Sequence, residues 1–194
     1  MVTSDNPFPP ELRTAAIVPR WSVVWTLNRD TVATHSYYVT LYSYQIARLI
    51  GWRQNLPRLM FLALTHDLDE TVTGDIVSPV KRAIVDVERA RAYISTAMEQ
   101  RMPAIWDQIK MEAVNDDEAV AIIECADRLD ALLFLIVEQR MGNRHVFNRC
   151  TDAYERFKTS WFKLPASKTL LEDLWHDTVA ASVAEHRRFG SNGV

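Results

Sequence analysis

Cysteine is nearly absent from this chain: only Cys125 and Cys150 occur in 194 residues. Two cysteines cannot build a disulfide framework, and these two form no close metal-binding pair. A reducing compartment is therefore expected. Glycine is also scarce, at five residues, and no segment alternates apolar and polar side chains as a half-buried strand does. No apolar run reaches the roughly 20 residues that a membrane span requires. Met1 to Pro10 lacks the apolar core of a secretory signal. Basic charge is not in excess, because the formal net charge is -3, so no field favours nucleic acid as a partner. From these absences a cytoplasmic protein is expected, with neither nucleic acid nor membrane as a partner.

What is present fits one helical domain. Hydrophobic residues make up 48% of the chain, enough for a globular core, and a chain of this size buries roughly 70% of its unfolded surface. Residues 1–194 are expected to form a single domain. Residues 1–10 are a flexible lead-in, and 150–194 form C-terminal helices packing on the same core. The first strong helix is expected over 34–50, with an apolar stripe of Val39, Tyr42, Ile46 and Leu49 and a cap at Gly51. A second covers 57–68, and 69–79 reads as a loop because it contains Thr73-Gly74-Asp75 and Ser78-Pro79. A third covers 81–101 and stops near Pro103. Asn115 with the acids after it starts a helix that runs to Arg140 and stops at Gly142. A short helix is expected over 152–159 and a last one from about 167 to 190. The fold class is all-α, a bundle of about five main helices.

Several polar residues sit where apolar ones belong. His35 continues the stripe of Val39, Tyr42 and Ile46, and His66 continues that of Leu59 and Leu62. Asp127 lies among Ile122, Ile123, Cys125 and Ala126. A core rejects an imidazole or carboxylate that lacks a partner, and a divalent ion would satisfy several at once. His35, His66, Asp67 and Asp127 supply two nitrogens and two oxygens, a set suited to a divalent transition metal with positions left for water or substrate. Asp130, one turn after Asp127, competes for the ligand role. A second His-Asp pair, His176-Asp177, falls on the polar side of its helix and is assigned to solvent. Glu70 and Asp75 remain to hold or move a proton. Arg20, Lys81, Arg82 and Arg128 are candidate anion partners, and Trp21 and Trp25 candidate stacking surfaces. No histidine lies between His66 and His145, so a mononuclear site is expected.

The residues Arg20-Trp21, then Thr34-His35-Ser36, then the stretch from His66-Asp67 through Glu70 to Thr73-Gly74-Asp75, then Ser78-Pro79-Val80-Lys81, then Ala126-Asp127 carry a resemblance. The chain resembles the HD-domain phosphohydrolases, most closely the 5′-deoxynucleotidases of the YfbR type, over about residues 20–138. Phage dATP triphosphohydrolases are similar to the same family. The resemblance implies an HD-domain helical bundle with one divalent metal (Co²⁺, Mn²⁺, Zn²⁺ or Mg²⁺) on His35, His66, Asp67 and Asp127. It implies Glu70 as catalytic acid/base with Asp75 assisting, and Arg20, Trp21, Asp75, Pro79 and Lys81 as substrate-binding residues. It further implies a small-molecule nucleotide substrate, dNMP or dNTP, and a homodimer or higher homo-oligomer. The chain departs from the family in carrying Thr34 where a glutamate usually precedes the histidine, and in the stretch Ser22-Val23-Val24-Trp25.

Overall fold

The structure, a computed structural model, describes residues 8–77, 83, 86–113 and 116–164. Among these, seven α-helices and no strand occur: α1 Val32–Leu49, α2 Leu56–Thr65, α3 Glu70–Thr73, α4 Val87–Arg101, α5 Pro103–Glu112, α6 Asp117–Arg140 and α7 Phe147–Trp161. A 3₁₀ segment at Pro10–Ala16 precedes them, and another at Arg144–Val146 leads into α7. The all-α expectation holds. The helix expected from 167 onward and the pair His176-Asp177 lie outside the described residues, as do Pro79, Lys81 and Arg82.

Helix ends follow side-chain chemistry. Thr31 caps α1 by accepting from the Thr34 amide, so the helix begins two residues before the expected Thr34. Asn55 does the same for α2, accepting from Arg58. Regular α2 stops at Thr65, short of the expected Leu68, and the chain continues in tight turns, with the Leu68 amide on the Thr65 carbonyl and the Glu70 amide on that of Asp67. Those turns deliver a one-turn helix, α3, inside the segment expected to be loop. Helix α5 was not anticipated. Pro103 was read as a stop, yet proline is also favoured at the first position of a new helix, and here it starts one. Helix α6 ends as expected: Gly142 has φ of 90°, its amide meets the Gln139 carbonyl, and the Asn143 amide reaches that of Glu138. This double bond pattern needs a left-handed residue, which glycine supplies without strain. Helix α7 is longer than the expected 152–159.

Helix α6 is the central element, packed against α1 on one side and α7 on the other. The main core joins Val39, Ile46 and Ala47 of α1, Leu59 and Ala63 of α2, Ile122 and Leu132 of α6, and Phe157 and Trp161 of α7. Of the expected α1 stripe, Leu49 is 40% exposed and does not join it. A second cluster gathers Leu68, Met98 and Met102, tying α4 and α5 to the turn after α2. The two cysteines are free and buried. Burial pushes Cys125 up to about 12 and Cys150 up to about 11, so neither thiol is a nucleophile near neutral pH.

Candidate metal centre

Helix α1 brings His35 to the middle of the molecule, where it is fully buried. Its Nδ1 donates to Asp130 Oδ2 at 2.6 Å. The His66 Nδ1 donates to the Ala63 carbonyl at 2.8 Å. With both Nδ1 positions occupied, each ring turns Nε2 inward, and the two Nε2 atoms lie 3.2 Å apart. Asp127 Oδ1 stands 3.1 Å from His35 Nε2. Two lone pairs and a carboxylate cannot converge unless a proton or a cation lies between them. His35, His66 and Asp127 each offer a ligand atom within 4.8 Å of the others.

Asp67 stands at the edge of this group. Its Oδ2 is 3.3 Å from His66 Nε2 and 3.6 Å from His35 Nε2, and it also accepts from Arg20 Nη1 at 3.2 Å. The donor set, two imidazole nitrogens with carboxylate oxygens, suits a divalent ion of intermediate softness. Asp130, a rival ligand on the sequence alone, is instead the group that orients His35 from behind. Such partners fix a ligating ring's tautomer and raise its basicity.

The charges support one another. Burial works against protonating His35, but hydrogen bonds to Asp127 and Asp130 outweigh it and hold the ring up to about 8. Burial pushes the Asp67 carboxyl up, yet the hydrogen bond and charge of His66, with Arg20 and His35 beside it, hold it well below the usual range. Asp127 is likewise lowered, chiefly by the His35 hydrogen bond working against burial. Asp127 is not a core residue, since 40% of its side chain is accessible. It faces a cavity of about 700 Å³, within the size range of small-molecule sites.

The same cavity is lined by Arg20, Trp21, Glu70, Asp75 and Arg128. Glu70, at the start of α3, is 2% exposed. Arg20 is held by Asp67 and lies 3.5 Å from Asp30. Trp21 stacks on Phe134 with centroids 5.4 Å apart, donates to Asp30 at 3.3 Å, and has φ of 61°, a conformation costly for a bulky side chain. Trp25, the other stacking candidate, is 83% exposed and is not in the cavity wall. Thr34, in place of the family's glutamate, bonds the Thr31 hydroxyl at 2.9 Å and so belongs to the cap of α1. Arg128 is an ion-pair partner of Glu124.

One device was missed from the sequence. Glu138 is fully buried. Its carboxylate accepts from the Leu27 amide at 2.6 Å, the Asn28 amide at 2.7 Å, the Asn28 side chain at 2.9 Å and the Asn143 side chain at 2.7 Å. Asn143 also donates to the Trp25 carbonyl at 2.8 Å. Burial pushes this carboxyl up, and the donors more than reverse it, leaving it lowered. The clasp secures the segment that follows Arg20 and Trp21. An acid closing the apolar run Leu132 to Val137 was the available signal.

Comparison with known proteins identifies the family and the fold. The family model for YfbR-like 5′-deoxynucleotidases matches residues 8–178. A 4′-phosphooxetanocin A phosphatase of Priestia megaterium is 29% identical over 136 residues, covering 66% of this chain and 70% of that protein. A 5′-deoxynucleotidase of Shewanella oneidensis is 28% identical over 139 residues, covering 66% and 71%. Among solved structures, the HD phosphohydrolase DatZ of cyanophage S-2L, bound to dA and one catalytic Zn²⁺ ion, superposes with a TM-score of 0.61 at 21% identity, over 92% of this chain and 95% of that one.

Proposed function

This chain belongs to the YfbR-like 5′-deoxynucleotidase family of HD-domain phosphohydrolases, and from that premise we propose that it hydrolyses deoxynucleoside 5′-monophosphates to deoxynucleoside and orthophosphate. The observation that carries the reading is the convergence of His35, His66 and Asp127 within 4.8 Å, with Asp127 opening on a cavity that Arg20, Asp67 and Glu70 also line. In this reading His35, His66, Asp67 and Asp127 hold one divalent ion, of which Co²⁺, Mn²⁺, Zn²⁺ and Mg²⁺ are the candidates. When bound there, such an ion would supply Lewis-acid charge at the phosphoryl group and would lower the pKa of water towards neutrality.

The chain's own residues do the rest. Asp130 keeps His35 in the tautomer that presents Nε2. Arg20, poised beside Asp67, neutralises charge on the phosphate. Glu70, buried at the cavity edge, holds and moves the proton that passes between attacking water and leaving 5′-oxygen, a role worth typically 10²–10⁴-fold. Asp75 lines the same cavity and assists in binding. Trp21, its ring fixed against Phe134, walls the nucleoside side. Phosphate monoesters hydrolyse so slowly in water that this fixed positioning and charge must supply most of the barrier reduction.

The test is product analysis. Purified protein is incubated with each dNMP and dNTP and each of the four metals. Orthophosphate with free nucleoside from dNMP is the expected product. Tripolyphosphate from dNTP with inert dNMP would replace the reading with triphosphohydrolysis, and no turnover with any metal would end it.

A further inference from the structure

Helix α7 contributes a cavity wall that the proposed reaction leaves unused. Arg149, Asp152 and Arg156 all line the cavity, and their spacing of three and four puts them on one helix face. Among the described residues, neither Arg149 nor Asp152 has an ion-pair partner or a side-chain hydrogen bond. Two charged groups of opposite sign thus face the same space without satisfying each other.

The register between α6 and α7 sets their heights. The two helices run antiparallel across a short connection. Cys125 meets Ser160, Arg128 Nη1 donates to the Arg156 carbonyl at 3.1 Å, and Leu135 packs with Val146 and Cys150. Arg156 therefore stands level with Arg128, at the end of the cavity that Asp127 lines. At 1.5 Å per residue, Asp152 lies about 6 Å and Arg149 about 10.5 Å further along the axis. From the metal end outward the wall reads cation, carboxylate, cation, with the apolar Ala131, Ala153 and Leu135 also lining the cavity.

A nucleotide has the matching order when its phosphate sits at the metal end: an anion, a sugar with hydroxyl donors, then a flat base whose edge carries acceptors. A second phosphate does not suit the middle position, because Asp152 repels it. A sugar hydroxyl does, because an ionised carboxylate only accepts. The five donors of Arg149 suit an acceptor-rich base edge, and guanine O6 with N7 is the best of these.

Resting on the nucleotidase reading, we propose that Asp152 accepts from the sugar 3′-hydroxyl and Arg149 donates to the base edge, making a guanine nucleoside 5′-monophosphate with a free 3′-hydroxyl the preferred substrate. The test measures kcat and KM for orthophosphate release from the four dNMPs and from 2′,3′-dideoxyguanosine 5′-monophosphate. Metal-loaded wild type, Asp152→Ala and Arg149→Gln are compared. Wild type is expected to lose about 10–100-fold in kcat/KM on the dideoxy substrate, the worth of one charge-assisted hydrogen bond. Asp152→Ala should show the same loss on dGMP and no longer distinguish the two substrates, mostly through KM. Arg149→Gln should lose more on dGMP than on the pyrimidine nucleotides. Equal handling of dGMP and its dideoxy analogue by wild type, or full discrimination retained in Asp152→Ala, overturns the sugar contact. An equal loss on all four bases in Arg149→Gln overturns the base contact. Both outcomes leave the nucleotidase reading standing, whereas absence of orthophosphate from every dNMP with wild type removes that reading and this proposal together.

Discussion

The two walls of the cavity are built on different plans. At the metal end the candidate ligands are held by fixed partners: His35 by Asp130 at 2.6 Å, His66 by the Ala63 carbonyl at 2.8 Å, Asp67 by Arg20 at 3.2 Å. On the α7 wall, Arg149 and Asp152 are solvent-exposed and engage no described side chain. The first plan suits chemistry, where a small displacement of a reacting group is costly. The second suits recognition, where ordering a side chain on contact is tolerable and substitution leaves the fold intact. The difference teaches that, on the proposed reading, the metal centre and the α7 wall can each be attacked without the other.

The largest effect is expected at the centre itself. Asp67→Ala and His35→Ala should lose bound metal and phosphate release together, checked by elemental analysis beside the activity assay. Full metal occupancy in either would break the contrast at its root. Glu70→Ala should lower kcat by about 10²–10⁴-fold while keeping the metal, so that occupancy and turnover separate. Unchanged turnover would strip Glu70 of its role. Asp130→Asn should weaken metal affinity by about 10–100-fold, read by competition with a chelating dye. An unchanged affinity would mean that His35 needs no support from behind.

Smaller effects sharpen the contrast. The Glu138 carboxyl is lowered from an ordinary value of 4.5, so it contributes stability that is present above about that pH and lost as pH falls through its folded value. Glu138→Gln turns one of the two acceptor oxygens into an NH2 that faces two donors, and should cost about 3 kcal/mol at neutral pH. The mutant's acid-denaturation curve should be flatter than that of wild type, measured by urea melts at successively lower pH. Parallel curves would show that the clasp does not titrate. Least affected is the melting temperature of Asp152→Ala, an exposed position whose change should register mostly in KM.

Much of the chemical wall was legible. His35 and His66 stood out because helical spacing put them on apolar faces, and Glu70 because it follows the pair closely. Asp130 stayed ambiguous, since sequence places it one turn from Asp127 but cannot say that it approaches His35 from behind. Asp30 and Asn143 gave no signal, because a hydrogen bond between distant segments leaves no local pattern. Pro103 misled because proline both ends and begins helices. Arg149 and Asp152 were invisible for a different reason: charges on the polar face of an amphipathic helix look like ordinary solvent-facing residues until the fold shows that this face lines a cavity.

The Glu138 clasp has a consequence for how this enzyme can change. The segment after Trp21 is suspended between two abutments. One is the pairing of Pro19 with Thr31 and of the Arg20 amide with the Asp30 carbonyl. The other is the carboxylate that grips Leu27 and Asn28. Both anchors use mainly backbone or lie off the span, so the side chains of Ser22 and Val23 hang between them with little structural duty, although Val23 reaches the cavity. Substitutions there can reshape this wall of the cavity without loosening either end or disturbing the candidate metal ligands. New substrate preferences can therefore accumulate on this short bridge while the hydrolytic machinery is inherited unaltered.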